Sequence, residues 1–310
     1  MPSKKHEAIK KMLNIAANSL KDSDNLPHLH HMRHLVELGT FFYLLPWGVH
    51  IKKVMVDNKI YGEVIIPTTS DRKKVMLYFH GGGYTIGSSH SHRSLVGKIA
   101  KKSGIIALLI EYRKAPEHSF PAALEDSFAS YKRLIYERGK LPENIVFAGD
   151  SAGGGLVFAT LLKIKEEGLP MPAGAIGLSP WVDLTNSGES ILKNQHEDPL
   201  VDIRKMNEWA RMYAGAFDFK NPYISPLFGD LSGLPPILVQ ASDAEMLYSD
   251  AVRLSQKAEE AGVDITFQSW EGLIHWWQIF QRVIPEASEA LDKISDFIQY
   301  TLNSKPGKLN

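Results

Sequence analysis

Residues 144–167 read NIVFAGDSAGGGLVFATLLKIKEE, in which a short apolar run meets a glycine-rich turn and then a run that predicts a helix. The turn carries the pattern G-x-S-x-G through Gly149, Ser151 and Gly153. Between a strand and a helix this pattern is typical of a nucleophile elbow, in which the glycines make room for a strained turn that presents the serine hydroxyl. The free N–H groups at the start of the helix favour developing negative charge beside it. We predict that Ser151 is a nucleophile; the alternative is a plain glycine-rich turn.

Outside this stretch, the chain repeats the same unit of short buried strand followed by helix. The predicted strands span residues 74–80, 105–112, 144–150, 173–179, 236–242 and 264–270. Near-continuous apolar strands separated by helices predict a mostly parallel sheet that helices cover on both faces. Before them, residues 50–67 predict a β-hairpin that turns at Asp57 and Asn58. The predicted fold class is therefore α/β.

Two segments are predicted to lie outside this core. Residues 1–48 read as two helices, because apolar residues recur at helical spacing in the first of them. Between 181 and 221 the alternation of strand and helix lapses, and the helix-like stretch DIRKMNEWARMYAG indicates an insertion above the sheet. We predict a core of residues 49–310 with a helical cap built from 1–48 and 181–221.

Composition and charge exclude several classes of function. Lys plus Arg and Asp plus Glu both number 35, so the chain has no net charge to attract a nucleic acid. There are no cysteines, which excludes disulfides, thiolate catalysis and Cys-ligated zinc. The first twenty residues lack the apolar core of a signal peptide, and the longest apolar run, residues 38–49, is too short and broken to span a bilayer. We expect a cytoplasmic protein without stable membrane insertion, for which a homodimer is an open alternative.

A second glycine-rich segment, His80-Gly81-Gly82-Gly83, ends the first strand of the parallel series. Consecutive glycines can turn their N–H groups toward a ligand oxygen where bulkier residues would obstruct the approach. Together with the N–H of Ala152 they would form an oxyanion hole for a tetrahedral acyl intermediate. The alternatives are a flexible loop or a phosphate cradle, and the absence of a following Gly-Lys-Ser/Thr disfavours the phosphate.

A serine nucleophile on this kind of sheet needs an acid and then a histidine later in the chain. Only His196 and His275 follow Ser151, and His275 comes just after the last predicted strand, where a loop returns to the sheet edge. We predict His275 as the base. The acid must follow the strand at 236–242, where three carboxylates compete: Asp243, Glu245 and Asp250. Asp250 is expected to lie in the next helix and face away, and local reasoning leaves Asp243 and Glu245 open.

Four motifs in order resemble the hormone-sensitive-lipase-like esterases, also called bacterial esterase family IV. They are HGGG (80–83), EYRKAPEHSFPAALED (111–126), GDSAGG (149–154) and SPWVDLTNSGES (179–190). The resemblance runs from about residue 74 to 275. It implies an α/β-hydrolase core with a helical cap, hydrolysis of short-acyl esters, Ser151 as nucleophile and His275 as base. It also implies that the N–H groups of Gly82, Gly83 and Ala152 bind the oxyanion.

The acid departs from the pattern of that family. Where the family usually carries Asp-Pro-Leu-Arg-Asp, this chain has EMLYS at residues 245–249. An ungapped match from here to His275 places Glu245, thirty residues earlier, on the Asp of the family. Glutamate can also orient and stabilise the imidazolium. The resemblance therefore favours Glu245, whereas residue type favours Asp243.

Other residues near the motifs bear on substrate and metal binding. Trp276 stands where the family has a small glycine, and Tyr84 follows the HGGG glycines, so both are predicted to contact substrate; for Trp276 the alternative is packing against the core. Histidines cluster at His28, His30, His31 and His34, but no carboxylate or Cys completes a metal site there. We expect no metal and no cofactor.

The functional hypothesis is a serine carboxylesterase that hydrolyses short-acyl esters of small molecules through an acyl-enzyme. A non-catalytic ligand-binding protein on the same scaffold is one alternative, disfavoured because the histidine is present. An amidase or deacetylase is the other, since these reactions share acyl chemistry.

Overall fold

The centre of the protein is one eight-stranded sheet. The computed structural model describes residues 1–21, 29–40, 44–57 and 60–303. The strands are β1 (Val49–Asp57), β2 (Ile60–Pro67), β3 (Asp71–Phe79), β4 (Ile105–Glu111), β5 (Ile145–Asp150), β6 (Gly174–Leu178), β7 (Ile237–Ser242) and β8 (Ile265–Trp270). Their order across the sheet is β1-β2-β4-β3-β5-β6-β7-β8. The pairs β1–β2 and β2–β4 are antiparallel and all others are parallel, which confirms the predicted mostly parallel sheet.

Helices cover the sheet on both faces. They are α1 (Lys4–Lys21), α2 (Leu29–Thr40), α3 (Ser89–Ser103), α4 (Ala122–Lys132), α5 (Ala152–Glu166), α6 (Glu189–Lys193), α7 (Ile203–Ala214), α8 (Tyr248–Glu260) and α9 (Pro285–Asn303). Alternate strand residues point to opposite faces, so in β5 Phe147 packs into the core under α4, α5 and α8, whereas Val146 packs into the core under α3 and α9. This two-faced burial explains why the strands read as nearly continuous apolar runs.

The predicted strands agree with the observed ones except at their ends. The largest difference is β3, which begins at Asp71 and not at residue 74. Its first three residues, Asp71, Arg72 and Lys73, are exposed and charged, so they give no apolar signal although the backbone is already extended. A π-helical turn at Arg133–Glu137, which continues α4, was not predicted either.

The register of the parallel strands places the motifs together. Phe79 at the end of β3 pairs with Gly149 near the end of β5, and Asp150 pairs with Leu178 at the end of β6. Because the carboxyl ends of parallel strands share one edge of the sheet, the HGGG loop lies beside the turn that carries Ser151. The loop after β7 reaches the same edge, since Ser242 pairs with Trp270 at the end of β8.

The N-terminal helix α2 is tied to the loops at this edge. Arg33 donates from Nε to the carbonyl oxygen of Thr85 (2.8 Å) and from Nη2 to that of Ala115 (3.0 Å). His90 Nδ1 lies 2.8 Å from a carboxylate oxygen of Glu37. These contacts hold α2 against the HGGG loop. Within the described parts of the chain, no helix is both long and apolar enough to cross a membrane.

Candidate active site

Ser151 lies in a strained turn between β5 and α5. Its backbone has φ 52° and ψ −123°, a conformation that residues other than glycine rarely adopt. Hydrogen bonds hold the turn: Ser151 N donates to Leu178 O (2.8 Å), and Ser151 O accepts from Trp181 N (2.9 Å) and Gly155 N (3.1 Å). Such strain persists only where the surroundings over-determine it, and it occurs preferentially at functional sites.

The small residues of the motif are required by close backbone approach. A Cβ atom at Gly153 would lie 2.1 Å from the carbonyl oxygen of Phe79, and one at Gly149 would lie 2.4 Å from that of Gly153. Both distances are far below van der Waals contact, so any side chain here would push α5 away from β3. The two glycines of the G-x-S-x-G pattern are thus required for the close backbone packing of the elbow.

His275 and Glu245 form a buried pair beside the elbow. His275 Nδ1 lies 2.7 Å from Glu245 Oε2, and the Glu245 side chain is completely buried. The second oxygen, Oε1, accepts a hydrogen bond from the backbone N–H of Ser242 at 2.8 Å. The carboxylate is therefore fixed by two partners, and it contacts the ring of His275 through Nδ1 and not through Nε2.

The other two candidate acids have different partners. Asp243 accepts from the backbone N–H of Gly272 through Oδ1 (2.7 Å), which ties the loop after β7 to the loop after β8. Asp250 lies in α8, as predicted, but its carboxylate is buried and accepts from the N–H groups of Val182 and Asp183, both at 2.9 Å. Burial and the charge of Asp183 raise the pKa of Asp250 to about 8. Only Glu245, of these three, contacts His275.

The electrostatics of the pair favour a charged imidazole. Burial opposes charge on His275, but the hydrogen bond and negative charge of Glu245, with the charges of Asp198 and Asp150, raise its pKa above the ordinary value of 6.5. Asp198 is also fully buried, and burial raises its own pKa. It accepts backbone N–H groups from Leu200 (3.0 Å) and Met246 (3.2 Å) and so ties the segment before α7 to the loop of the acid.

The HGGG loop is held at the elbow by His92. His92 Nε2 lies 3.3 Å from the amide nitrogen of Gly81 and 3.3 Å from Asp150 Oδ2, and its ring stacks on Trp276 at 4.7 Å between centroids. Gly83 follows with φ +58°, and a Cβ there would lie 2.0 Å from the ring of Trp209. The loop therefore contacts both the sheet edge and α7.

These elements enclose a cavity of about 190 Å³. It is lined by Val36, Gly81, Gly82, Gly83, Ile86, Gly87, His92, Asp150, Ser151, Trp181, Leu200, Val201, Asp202, Lys205, Met206, Trp209, Leu247, His275 and Trp276. The predicted nucleophile, base and HGGG glycines thus share one small, mainly apolar space. Ala152, the first residue of α5, directly follows Ser151 in the chain, is buried and is not part of the lining.

The two residues predicted to contact substrate lie in different environments. Trp276 lines the cavity, in a left-handed backbone conformation with φ 55°. Tyr84 does not line it: its ring is 1% exposed and stacks on Tyr213 at 3.7 Å between centroids. The prediction that Tyr84 contacts substrate is therefore corrected to a packing role, because the chain turns its side chain into the core beneath the HGGG loop.

The histidine cluster of α2 does not make a metal site in the described part of the chain. His30 and His34 do meet, with their Nε2 atoms 3.0 Å apart. However, no group of three or more His, Cys, Asp or Glu side chains able to hold a metal ion occurs among the residues that the structure describes. His28 lies outside them.

Sequence reasoning missed several residues at the site. Asp198, Met206 and Trp209 come from the segment that the sequence placed only as an insertion. The signal for α7 was its amphipathic spacing, with Met206 and Trp209 three residues apart on one face. Val36 of α2, which also lines the cavity, gave no specific signal.

Comparisons with known proteins agree with this architecture. A family model described as alpha/beta hydrolase fold matches residues 76–279. An acetyl-hydrolase of Streptomyces hygroscopicus is 38% identical over 252 residues, 81% of this chain and 84% of that protein. An esterase of Acinetobacter venetianus is 35% identical over 233 residues, 75% of this chain and 77% of that protein. The crystal structure of an esterase from the bacterial hormone-sensitive lipase (HSL) family superposes with a TM-score of 0.92 at 35% identity, over 98% of this chain and 100% of that one.

The fold and the arrangement around Ser151 define an α/β hydrolase. Within that superfamily, the chain belongs to the hormone-sensitive-lipase-like carboxylesterases, bacterial esterase family IV. The family and the fold predicted from the four sequence motifs are thereby confirmed.

Proposed function

We propose that the protein is a serine carboxylesterase that hydrolyses short-acyl esters of small molecules, with Ser151, His275 and Glu245 as its triad. One observation carries the proposal: the 2.7 Å contact of His275 Nδ1 with Glu245 lies at the same cavity as Ser151 on its strained elbow. A catalytic triad is recognised by this geometry and by the roles of its members. Two of the similar proteins are named esterases, which supports the specificity for esters.

In the first half-reaction, Ser151 Oγ attacks the ester carbonyl carbon and its proton passes to His275 Nε2. The imidazolium that forms donates from Nδ1 to Glu245, whose negative charge stabilises it. The tetrahedral intermediate then collapses, and His275 returns the proton to the departing alkoxide. The products of this step are a free alcohol and an acyl-enzyme on Ser151.

In the second half-reaction, a water molecule takes the place of the alcohol. It transfers a proton to His275 as its oxygen attacks the acyl carbonyl, and the new tetrahedral intermediate releases the carboxylic acid and restores the Ser151 hydroxyl. We assign the N–H groups of Gly82, Gly83 and Ala152 to the oxyanion in both steps. The position of Gly82 and Gly83 in the cavity lining and of Ala152 at the start of α5 supports this assignment.

We also propose that residues 1–48 and 181–221 form a cap over a core of residues 49–310. Val36 of α2 and Met206 and Trp209 of α7 supply part of the cavity lining, which supports a role for both segments above the sheet edge. A cytoplasmic location stays a prediction, and so does a homodimer, which sedimentation of the purified protein can test.

The size of the cavity predicts a preference for short acyl chains. At about 190 Å³, walled by Trp209 and Trp276, the cavity has little room for a long chain. Each additional methylene must clash with these walls or stay in water, where it does not gain the about 0.8 kcal/mol of burial. We expect kcat/KM for p-nitrophenyl esters to be highest for acyl chains of about two to six carbons and to fall for longer ones. A higher kcat/KM for the decanoate than for the butyrate ester would contradict this prediction.

A matched pair of variants tests whether the tryptophan wall of the cavity causes this chain-length preference. Trp209→Ala opens space beside Gly83 and is expected to shift the chain-length optimum toward longer esters. Trp47→Ala removes an indole that is 92% exposed and does not line the cavity, so its chain-length profile should equal that of the unmodified enzyme.

The raised pKa of His275 predicts the acid limb of the pH profile. The base must be neutral to accept the proton of Ser151, so activity is lost when pH falls below the pKa of His275 in the free enzyme. Because Glu245 raises that pKa, the midpoint of the acid limb of kcat/KM should lie above 6.5 for a p-nitrophenyl ester, which does not itself titrate there. A midpoint at or below 6.5 would contradict the proposed electrostatics.

A further inference from the structure

A second cavity, of about 350 Å³, lies between strands β1–β4 and the end of α4 with its π-helical turn. None of its lining residues lines the cavity at Ser151. It is the larger of the two and falls in the range of natural small-molecule sites. The proposed esterase mechanism makes no use of it.

The floor of this cavity is aliphatic. Val64 of β2 pairs in register with Leu108 of β4, and Val75 of β3 pairs with Ile106. All four line the cavity, and Leu134 of the π-helical turn faces them. Water in such a space finds few hydrogen-bond partners, so the floor favours an alkyl group over solvent.

Four cationic side chains also line the cavity: Lys52, Arg133, Arg138 and Lys140. No acidic residue lines the cavity among the residues that the structure describes. Arg133 is partly neutralised, since its Nε lies 3.3 Å from Glu137 Oε2. For Lys52 and Arg138 the described residues supply no ion-pair partner.

Lys140 also forms no ion pair with a carboxylate of the described residues. It is more enclosed than Lys52 and Arg138, which are exposed. Its ammonium donates to the carbonyl oxygen of Arg72. Burial lowers its pKa below the usual range, and the negative charge of Asp71 offsets only part of that effect. A lysine held partly out of water, with no carboxylate at ion-pair distance among the described residues, favours an incoming anion, because the anion restores the lost electrostatic stabilisation. The cavity thus offers an aliphatic floor with an electropositive rim.

We propose that this cavity is a binding site for an amphipathic carboxylate with a medium-length alkyl chain. The chain lies on the floor formed by Val64, Val75 and Leu108. The carboxylate lies at the rim, against Lys52, Arg138 and Lys140. The π-helical turn supports a binding role, because it places the consecutive residues Arg133 and Leu134 at the same cavity, and such turns occur frequently at functional sites. No bond is made or broken here.

Titration calorimetry of the whole protein with sodium octanoate tests the site directly. Octanoate should bind saturably, and Arg138→Gln and Lys52→Gln should each weaken binding about tenfold, as expected for loss of a charge-assisted contact. The control is Lys53→Gln, since Lys53 is the next residue of β1, faces the opposite side of the sheet and does not line the cavity. The affinity of the Lys53→Gln variant for octanoate should be unchanged.

Two further ligands separate the alkyl and carboxylate contributions. Octan-1-ol lacks the charge and should bind at least about tenfold more weakly than octanoate. Acetate lacks six methylene groups and should bind at least about a hundredfold more weakly. Equal binding of octanol and octanoate, equal affinity in the Arg138→Gln and Lys53→Gln variants, or no saturable binding would each overturn the proposal.

This test is independent of the esterase mechanism. Arg138 lies outside the cavity at Ser151, so Arg138→Gln should keep the kcat/KM of the unmodified enzyme on p-nitrophenyl butyrate while it loses affinity for octanoate. An inactive enzyme that still binds octanoate through Arg138 would overturn the proposed function alone, whereas an active enzyme without octanoate binding would overturn the cavity alone.

Discussion

Replacing Ser151 with alanine is expected to lower kcat/KM for p-nitrophenyl butyrate by about a million-fold, the scale on which loss of a serine nucleophile acts in triad hydrolases. Alanine has no oxygen to form the acyl-enzyme, and His275 then has no nucleophile to activate. The oxyanion N–H groups and the cavity remain, so a small residual rate above the uncatalysed reaction is expected. Steady-state kinetics on purified protein measure the loss.

The structure provides a matched control for this substitution. Ser179, which directly follows β6, is also a serine with positive φ (46°). Its hydroxyl is buried without a hydrogen-bond partner among the described residues, and it does not line the cavity. Ser179→Ala should therefore keep nearly full activity, and both variants should unfold close to the temperature of the unmodified protein. Comparable activity loss in both would mean that the effect comes from the fold and not from the nucleophile.

Replacing Glu245 with glutamine is expected to lower kcat by about 10³- to 10⁴-fold, as neutralising the triad acid does elsewhere. Glutamine has nearly the same shape and can keep the hydrogen bond from Ser242 N. It cannot stabilise the imidazolium, and its amide can orient the wrong tautomer of His275. Because Glu245 raises the pKa of His275, the acid limb of the remaining activity should also move to lower pH.

Asp243→Asn is the control for that variant. Asparagine keeps an oxygen able to accept from Gly272 N, so the loop contact at 2.7 Å survives and activity should fall less than about tenfold. A nearly normal Glu245→Gln enzyme beside an inactive Asp243→Asn enzyme would exchange the roles of the two residues. The assignment of Ser151 and His275 would stand in that case.

Much of the fold could be predicted because its determinants are local. The elbow requires small residues at Gly149 and Gly153, and strands buried on both faces require continuous apolar runs, so both leave short and specific patterns. The start of β3 left none, since Asp71 and its neighbours are exposed and charged. A buried strand produces an apolar run in the sequence, whereas an exposed strand end produces no such pattern.

The candidate site was less predictable where it depends on contacts between distant segments. Spacing to His275 favoured Glu245, and the structure brings that carboxylate to 2.7 Å from the ring. Nothing local distinguished Asp198, whose two oxygens join the segment before α7 to the loop of the acid. The prediction that Tyr84 contacts substrate failed for the same reason. Its neighbour Gly83 lines the cavity, whereas the ring of Tyr84 packs on Tyr213 of α7.

The second cavity could not be predicted from the sequence at all. Its floor comes from three strands and its rim from residues as far apart as Lys52 and Lys140. Each of these residues has an ordinary local role, as a strand side chain or a surface cation. Only the packing of α4 and its π-helical turn against β1–β4 leaves the space between them.

The most direct test of the central claim is covalent labelling with a serine-directed p-nitrophenyl alkylphosphonate, read by intact mass and peptide mapping. The account predicts one phosphonyl adduct per chain, located on Ser151, with esterase activity lost in proportion to labelling and no adduct in the Ser151→Ala variant. Full esterase activity in a protein that takes up no label, or an adduct that maps to another residue and still abolishes activity, would contradict it.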